Sequence, residues 1–142
     1  MVRIIRLSPT FAVAGQLSAS DFPEIAAQGF KSIICNRPDG EQFLQLSTEK
    51  SEQMATAAGL SFRALPLVMG NVLDPATSKA TQAAIDELPA PVLAYCRSGT
   101  RSAMAWAATI SKTQPVDTVM GALQQAEFEI PGLADSLRAL PR

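Results

Sequence analysis

The residues best equipped for chemistry lie in one six-residue run, Cys96-Arg97-Ser98-Gly99-Thr100-Arg101. An apolar stretch ending at Tyr95 precedes it, and the helix formers Arg101 to Ile110 follow it. That order puts a thiol at the end of a strand and at the mouth of a helix, where backbone N–H groups and the positive end of the helix dipole attract anions. The N–H groups of 97 to 101 can fold around such an anion. Gly99 lets the loop curl, and Ser98, Thr100 or Ser102 adds a hydroxyl. Arg97 and Arg101 bring fixed positive charge, and a guanidinium can grip an oxyanion with two parallel hydrogen bonds. Positive surroundings also favour the thiolate, which is the attacking form of cysteine. Cys96 is therefore the expected nucleophile and Arg101 its catalytic partner. A lone cysteine at a strand end is more often a small buried residue. What separates Cys96 from that case is the company of two arginines, a glycine and a helix start.

The chain has no histidine and only two cysteines, Cys35 and Cys96. Ser-His-Asp triads, Cys-His pairs, histidine metal sites, Cys-only zinc sites and a disulfide framework are all excluded. No metal and no organic cofactor is expected. Outside the loop, Asp74 in Gly70-Asn-Val-Leu-Asp-Pro75 has two readings. It caps the helix that starts at Pro75, or it serves as a general acid for a leaving oxygen. Arg37 and Asp39 follow a buried strand, so they either orient the Cys96 loop and bind an acceptor or simply build a turn. Cys35 reads as core. Were it to lie beneath Cys96, the pair could form a protective disulfide. Met104, Trp106 and Met120 fall at helical spacing in apolar stretches and read as core, whereas Glu127 and Glu129 read as a solvated face.

Those residues need elements to hold them. At 142 residues and 47% apolar content the chain is about one domain long, with enough apolar side chains for a full core. A net charge of −1 and the lack of a Lys/Arg cluster argue against a nucleic-acid partner. No apolar run is long enough to span a bilayer or to act as a leader, so a cytoplasmic setting with reduced thiols is expected. Strands are predicted over Phe11 to Gln16, Lys31 to Asn36, Ser61 to Leu67 and Pro91 to Tyr95. Helices are predicted from Phe22 to Ala27, after the capping pair Ser20-Asp21, and over Ser47 to Ala58, Pro75 to Leu88, Arg101 to Ile110 and Val116 to Ala126, with a last turn around Leu133 to Leu137. This alternation predicts a three-layer α/β/α fold with a mainly parallel central sheet.

The Cys96 loop is similar to those of two families. Protein-tyrosine phosphatases place five residues between cysteine and arginine, and rhodanese sulfurtransferases use a shorter loop. Here four residues separate Cys96 from Arg101, and Ser102 stands at the phosphatase arginine position. The tighter ring suits a persulfide sulfur better than a phosphoryl group. Over about residues 3 to 135 the chain resembles the phosphatase-like domain of the beta-lactamase-hydrolase-like proteins, through Phe11 to Leu17, Ile34 to Glu41 and Leu93 to Ser102. That resemblance implies a tyrosine-phosphatase-like fold. It also implies a role in sulfide detoxification beside a persulfide dioxygenase or a sulfide:quinone oxidoreductase, to which members are fused. The expectation is a sulfurtransferase that takes sulfane sulfur from a small anionic donor such as thiosulfate and passes it to a thiol acceptor through a Cys96 persulfide. The alternatives are a phosphatase working through a cysteinyl-phosphate and a docking module without turnover. Oligomeric state is left open.

Overall fold

The computed structural model describes residues 2–141. A five-stranded sheet runs in the order β1-β2-β5-β3-β4, with β1 Ile5–Ser8, β2 Phe11–Ala14, β3 Ser32–Cys35, β4 Ser61–Ala64 and β5 Val92–Tyr95. Only the β1–β2 pair is antiparallel. The β2–β5, β3–β5 and β3–β4 pairs are parallel. The helices are α1 Asp21–Ala27, α2 Thr48–Ala57, α3 Pro75–Glu87, α4 Thr100–Ile110, α5 Val116–Gln125 and α6 Leu133–Arg138. The predicted three-layer α/β arrangement is present.

Side chains alternate across a strand, so each central strand feeds two cores. Ala12, Ala14, Ile33, Cys35, Leu93 and Tyr95 pack with Phe22 and Ile25 of α1 and Ala55 of α2. Val13, Ile34, Val92 and Ala94 pack on the other side with α4, α5 and α6. Every residue of β2, β3 and β5 is buried, as expected for parallel strands covered on both faces. In α4 the run 102–109 is buried all round, in keeping with its nearly continuous apolar sequence.

Two elements differ from expectation. β1 was not predicted because Arg3 and Arg6 interrupt its apolar character. It pairs along one edge of β2, and Arg6 lays its guanidinium 4.7 Å from the centre of the Phe30 ring. β4 ends at Ala64 instead of Leu67, yet the chain stays beside β3. Leu65 N–H donates to Cys35 O and Leu67 N–H to Asn36 O. Two residues advance here against one on β3, and Leu65 O accepts from the Asn36 side chain in place of a backbone N–H, so regular pairing stops.

The sheet order reverses around β5, which returns between β2 and β3. Ligands bind outside the carboxyl ends of strands at such a switch point. One side chain ties these ends together. Asn36 is 4% exposed. Its N–H donates to Tyr95 O, its carbonyl accepts from Leu67 N–H, its Nδ2 donates to Leu65 O and its Oδ1 accepts from Ser102 Oγ. The exits of β3, β4 and β5 and the start of α4 thus meet on one amide residue. Replacing Asn36 by Ala leaves the part-buried Leu65 O and the buried Ser102 hydroxyl without it. The expected loss of unfolding free energy is about 2–6 kcal/mol, at 1–3 kcal/mol per orphaned group. A lower urea midpoint with an unchanged slope would register it.

Candidate active site

Cys96 follows β5 directly and is fully buried. Its N–H donates to Ala14 O at 3.2 Å, which continues the β2–β5 ladder by one more bond. From there the chain turns back, and Gly99 N–H donates to Cys96 Sγ at 3.1 Å. A backbone donor therefore points at the sulfur from the N-cap of α4. Gly99 has φ +91°, a conformation open to glycine and strained for other residues. Gly15, at the exit of β2, is needed for a different reason. A Cβ there would stand 3.0 Å from Arg97 O, the carbonyl that accepts from Gln16 N–H. The loop rests on the bare backbone of residues 15 and 16.

The predicted site residues divide into two groups. Arg97 and Ser98 are exposed at the rim, and Ser98 Oγ donates to Thr100 Oγ1 at 3.2 Å. Arg101 turns back over the sheet ends. Its Nη1 donates to Glu41 Oε2 at 2.7 Å and to Leu67 O at 2.8 Å, while its Nη2 donates to Glu41 Oε1 at 2.7 Å. Hydrogen bonding to Glu41 raises the Arg101 pKa above its ordinary value, and the nearby Cys96 adds to the effect. Arg37 is brought to the same place. It is 2% exposed, with Nε on Glu41 Oε1 at 2.9 Å and Nη1 on Gln16 Oε1 at 2.9 Å. Its Nη2 reaches Gln42 Oε1 at 3.4 Å.

The second group lies away from the cradle or serves it indirectly. Ser102 is buried and gives its hydroxyl to Asn36, bracing the first turn of α4 instead of lining the anion site. Asp39 caps α2, its Oδ1 accepting from Thr48 N–H at 2.7 Å and Thr48 Oγ1 at 2.9 Å. Asp74 stands at the N-cap position of α3 with extended backbone angles, yet its side chain makes no cap hydrogen bond. Its carboxylate is exposed and bonds to no other described residue. Cys35 faces Arg37 O at 3.5 Å, Thr48 Oγ1 at 3.9 Å and Tyr95, and both cysteines are free thiols. Tyr95, whose hydroxyl donates to Ser51 Oγ at 2.9 Å, has its pKa pushed up by burial. No cluster of metal-ligating side chains exists among the described residues.

Sequence reasoning missed Glu41, Asn36 and Gln16. Glu41 was legible only as the last residue of a polar turn, because its two arginine partners lie four and sixty positions away. Beside this cluster a cleft of about 460 Å³ is lined by Gln16, Arg37, Gln42, Phe43, Leu44 and Gln45. Phe43 and Leu44 are exposed, as are Val68 and Met69 on the segment after Leu67. The large exposed apolar side chains thus sit on the two segments that Arg101 holds.

A cysteine-bearing loop between a parallel strand and a buried helix, at the sheet's switch point, belongs to a phosphatase-like fold of the protein-tyrosine-phosphatase type. The chain belongs to the family of the beta-lactamase hydrolase-like protein, phosphatase-like domain, whose model matches residues 3–113. It is 39% identical over 101 residues to the beta-lactamase hydrolase-like protein of Agrobacterium fabrum, covering 71% of this chain and 23% of that one. The chain spans between 23% and 29% of the length of the curated relatives it matches. Among solved structures, a candidate phosphatase from Neisseria meningitidis is 30% identical, with a TM-score of 0.84 over 94% of this chain and 95% of that one. The active form of Tk-PTP is 12% identical with a TM-score of 0.63, over 95% and 92% of the two chains, a likeness of fold. No described helix is long and apolar enough to cross a membrane.

The Arg37–Glu41–Arg101 cluster has a pH signature. The Arg101 hydrogen bond, helped by Arg37, holds the Glu41 carboxyl at about 2 against an ordinary 4.5. A depressed folded-state pKa stabilises the fold above the unfolded value and loses that contribution as pH falls through the folded one. The stability difference between wild type and Glu41→Gln should therefore be constant above about pH 5 and shrink as pH falls from about 4.5 towards 2. Urea midpoints of both proteins across that range would measure it, and a difference independent of pH would contradict the pairing.

Proposed function

We propose that this chain is a cysteine-based phosphatase that hydrolyses phosphomonoesters through a cysteinyl-phosphate. The observation that carries the reading is the cradle over Cys96, where the Gly99 N–H stands 3.1 Å from Sγ and Arg101 lies alongside. The family and the candidate phosphatase of similar fold support the same choice.

In the first step the Cys96 thiolate attacks phosphorus, forming an S–P bond as the bond to the ester oxygen breaks. A proton from solvent reaches that oxygen, so the leaving group departs as an alcohol or phenol. Arg101 and the loop N–H groups hold the non-bridging oxygens, where charge is greatest in the transition state. Water then cleaves the S–P bond, releasing inorganic phosphate and restoring the thiolate, with solvent taking the proton. The Gly99 N–H, 3.1 Å from Sγ, stabilises sulfur as nucleophile in the first step and as leaving group in the second.

Sulfur transfer is the second reading, favoured by loop length. Ser102 occupies the phosphatase arginine position and is committed to Asn36. Cys96 would then accept sulfane sulfur from a small anionic donor and deliver it to a thiol acceptor. Aryl phosphate turnover and intact mass after thiosulfate treatment separate the two. The phosphatase reading expects hydrolysis that Cys96→Ser abolishes. A gain of one sulfur on Cys96, without hydrolysis, would move the assignment to sulfur transfer.

A further inference from the structure

We propose that Glu41 is a positioning residue of this site, aiming one edge of the Arg101 guanidinium at the anion bound over Cys96. The inference rests on Arg101 being the oxyanion clamp, and it holds for a phosphoryl group or a sulfur donor alike.

The argument is a count of donors. A guanidinium carries five N–H groups in a rigid plane: two on Nη1, two on Nη2 and one on Nε. Both Nη1 hydrogens are taken, by Glu41 Oε2 and by Leu67 O. One Nη2 hydrogen goes to Glu41 Oε1. What is left is the second Nη2 hydrogen and the Nε hydrogen, which lie parallel on one edge and form the fork that suits a pair of oxyanion oxygens. Glu41 and Leu67 occupy the far edge and one corner, so the plane cannot turn without breaking a bond.

Glu41 is itself braced. Its Oε1 also accepts from Nε of Arg37, whose Nη1 donates to Gln16 Oε1. The Gln16 N–H in turn holds Arg97 O. The chain of bonds leaves the Cys96 loop at Arg97, passes through Gln16, Arg37 and Glu41, and returns to the loop at Arg101. Glu41 is the one carboxylate in this circuit. A carboxylate beside an anion site could instead be a competitor that the substrate must displace, and the two roles predict opposite results.

The test compares alkylation of Cys96 by iodoacetate, which is anionic, and by iodoacetamide, which is neutral, with peptide mapping to exclude Cys35. The ratio of the two rates, referred to the same ratio for free glutathione, reports an aimed positive edge and does not depend on the reaction catalysed. The wild type should favour iodoacetate. Glu41→Gln removes a negative charge, so charge alone would raise that preference, whereas loss of aim should lower it about tenfold, the worth of a charge-assisted hydrogen bond. Glu41→Asp keeps the charge but withdraws it by one methylene, and it should lower the preference in the same direction. It also carries the test should Glu41→Gln fail to fold. A preference kept or increased in the variants overturns the positioning role while leaving the proposed function standing. A wild type with no preference, or with an inert Cys96, overturns both.

Discussion

The site depends on Asn36 engaging its backbone N–H and C=O and both ends of its amide at once. Where parallel strands end together, each backbone leaves buried N–H and C=O groups that the ladder no longer satisfies, and each costs free energy if left unpaired. Asn36 meets those of β4 and β5 with its own backbone and amide, and uses its remaining acceptor to fix Ser102 in the first turn of α4. With β5 held at Tyr95 and α4 held at Ser102, the residues between them have little freedom. Cys96 to Arg101 must close a short loop, and Gly99 supplies the left-handed turn that lets it close onto its own sulfur.

With the loop so anchored, the Cys96 sulfur is met by fixed features and not by a histidine: a backbone N–H at 3.1 Å, the start of an eleven-residue helix, and Arg101 alongside. Two arginines share a single carboxylate, so the cluster keeps net positive charge at any pH where Glu41 is ionised. Burying Arg37 without such a partner would carry a large desolvation cost, because a buried guanidinium cannot shed its proton. The carboxylate is thus as much a requirement of the fold as of the site.

Much of this was legible in the sequence, because the elements concerned announce themselves locally. The strand before Cys96, the glycine in its loop and the apolar helix after it are consecutive, so period and turn chemistry suffice to place them. Asp39 was read either as a site residue or as a turn residue bonding local amides, and its bonds run nine positions along the chain to Thr48. What could not be read are pairings across the fold. Glu41 looks like any acid in Pro-Asp-Gly-Glu, and only the side-by-side packing of β3 and β5 brings it to Arg101. Ser102 looked like a loop hydroxyl, but the first turn of α4 points it inward at Asn36. Asp74 showed the opposite failure. Sequence preference made it a cap, and the backbone does place it there, yet the side chain declines the role.

The same geometry explains why loop length alone does not decide the chemistry. A loop one residue shorter than the phosphatase pattern would leave the oxyanion without its arginine if the position after the loop had to supply it. Ser102 cannot do so, since its side chain is buried toward Asn36. Arg101, one residue earlier, instead extends across the sheet ends to Leu67 and Glu41 with Cys96 nearby. The shorter loop has therefore moved the arginine without removing it. Phosphoryl and sulfane-sulfur transfer both need this cradle. They differ in whether the departing group must receive a proton: sulfite leaves as a stable anion, an alkoxide does not.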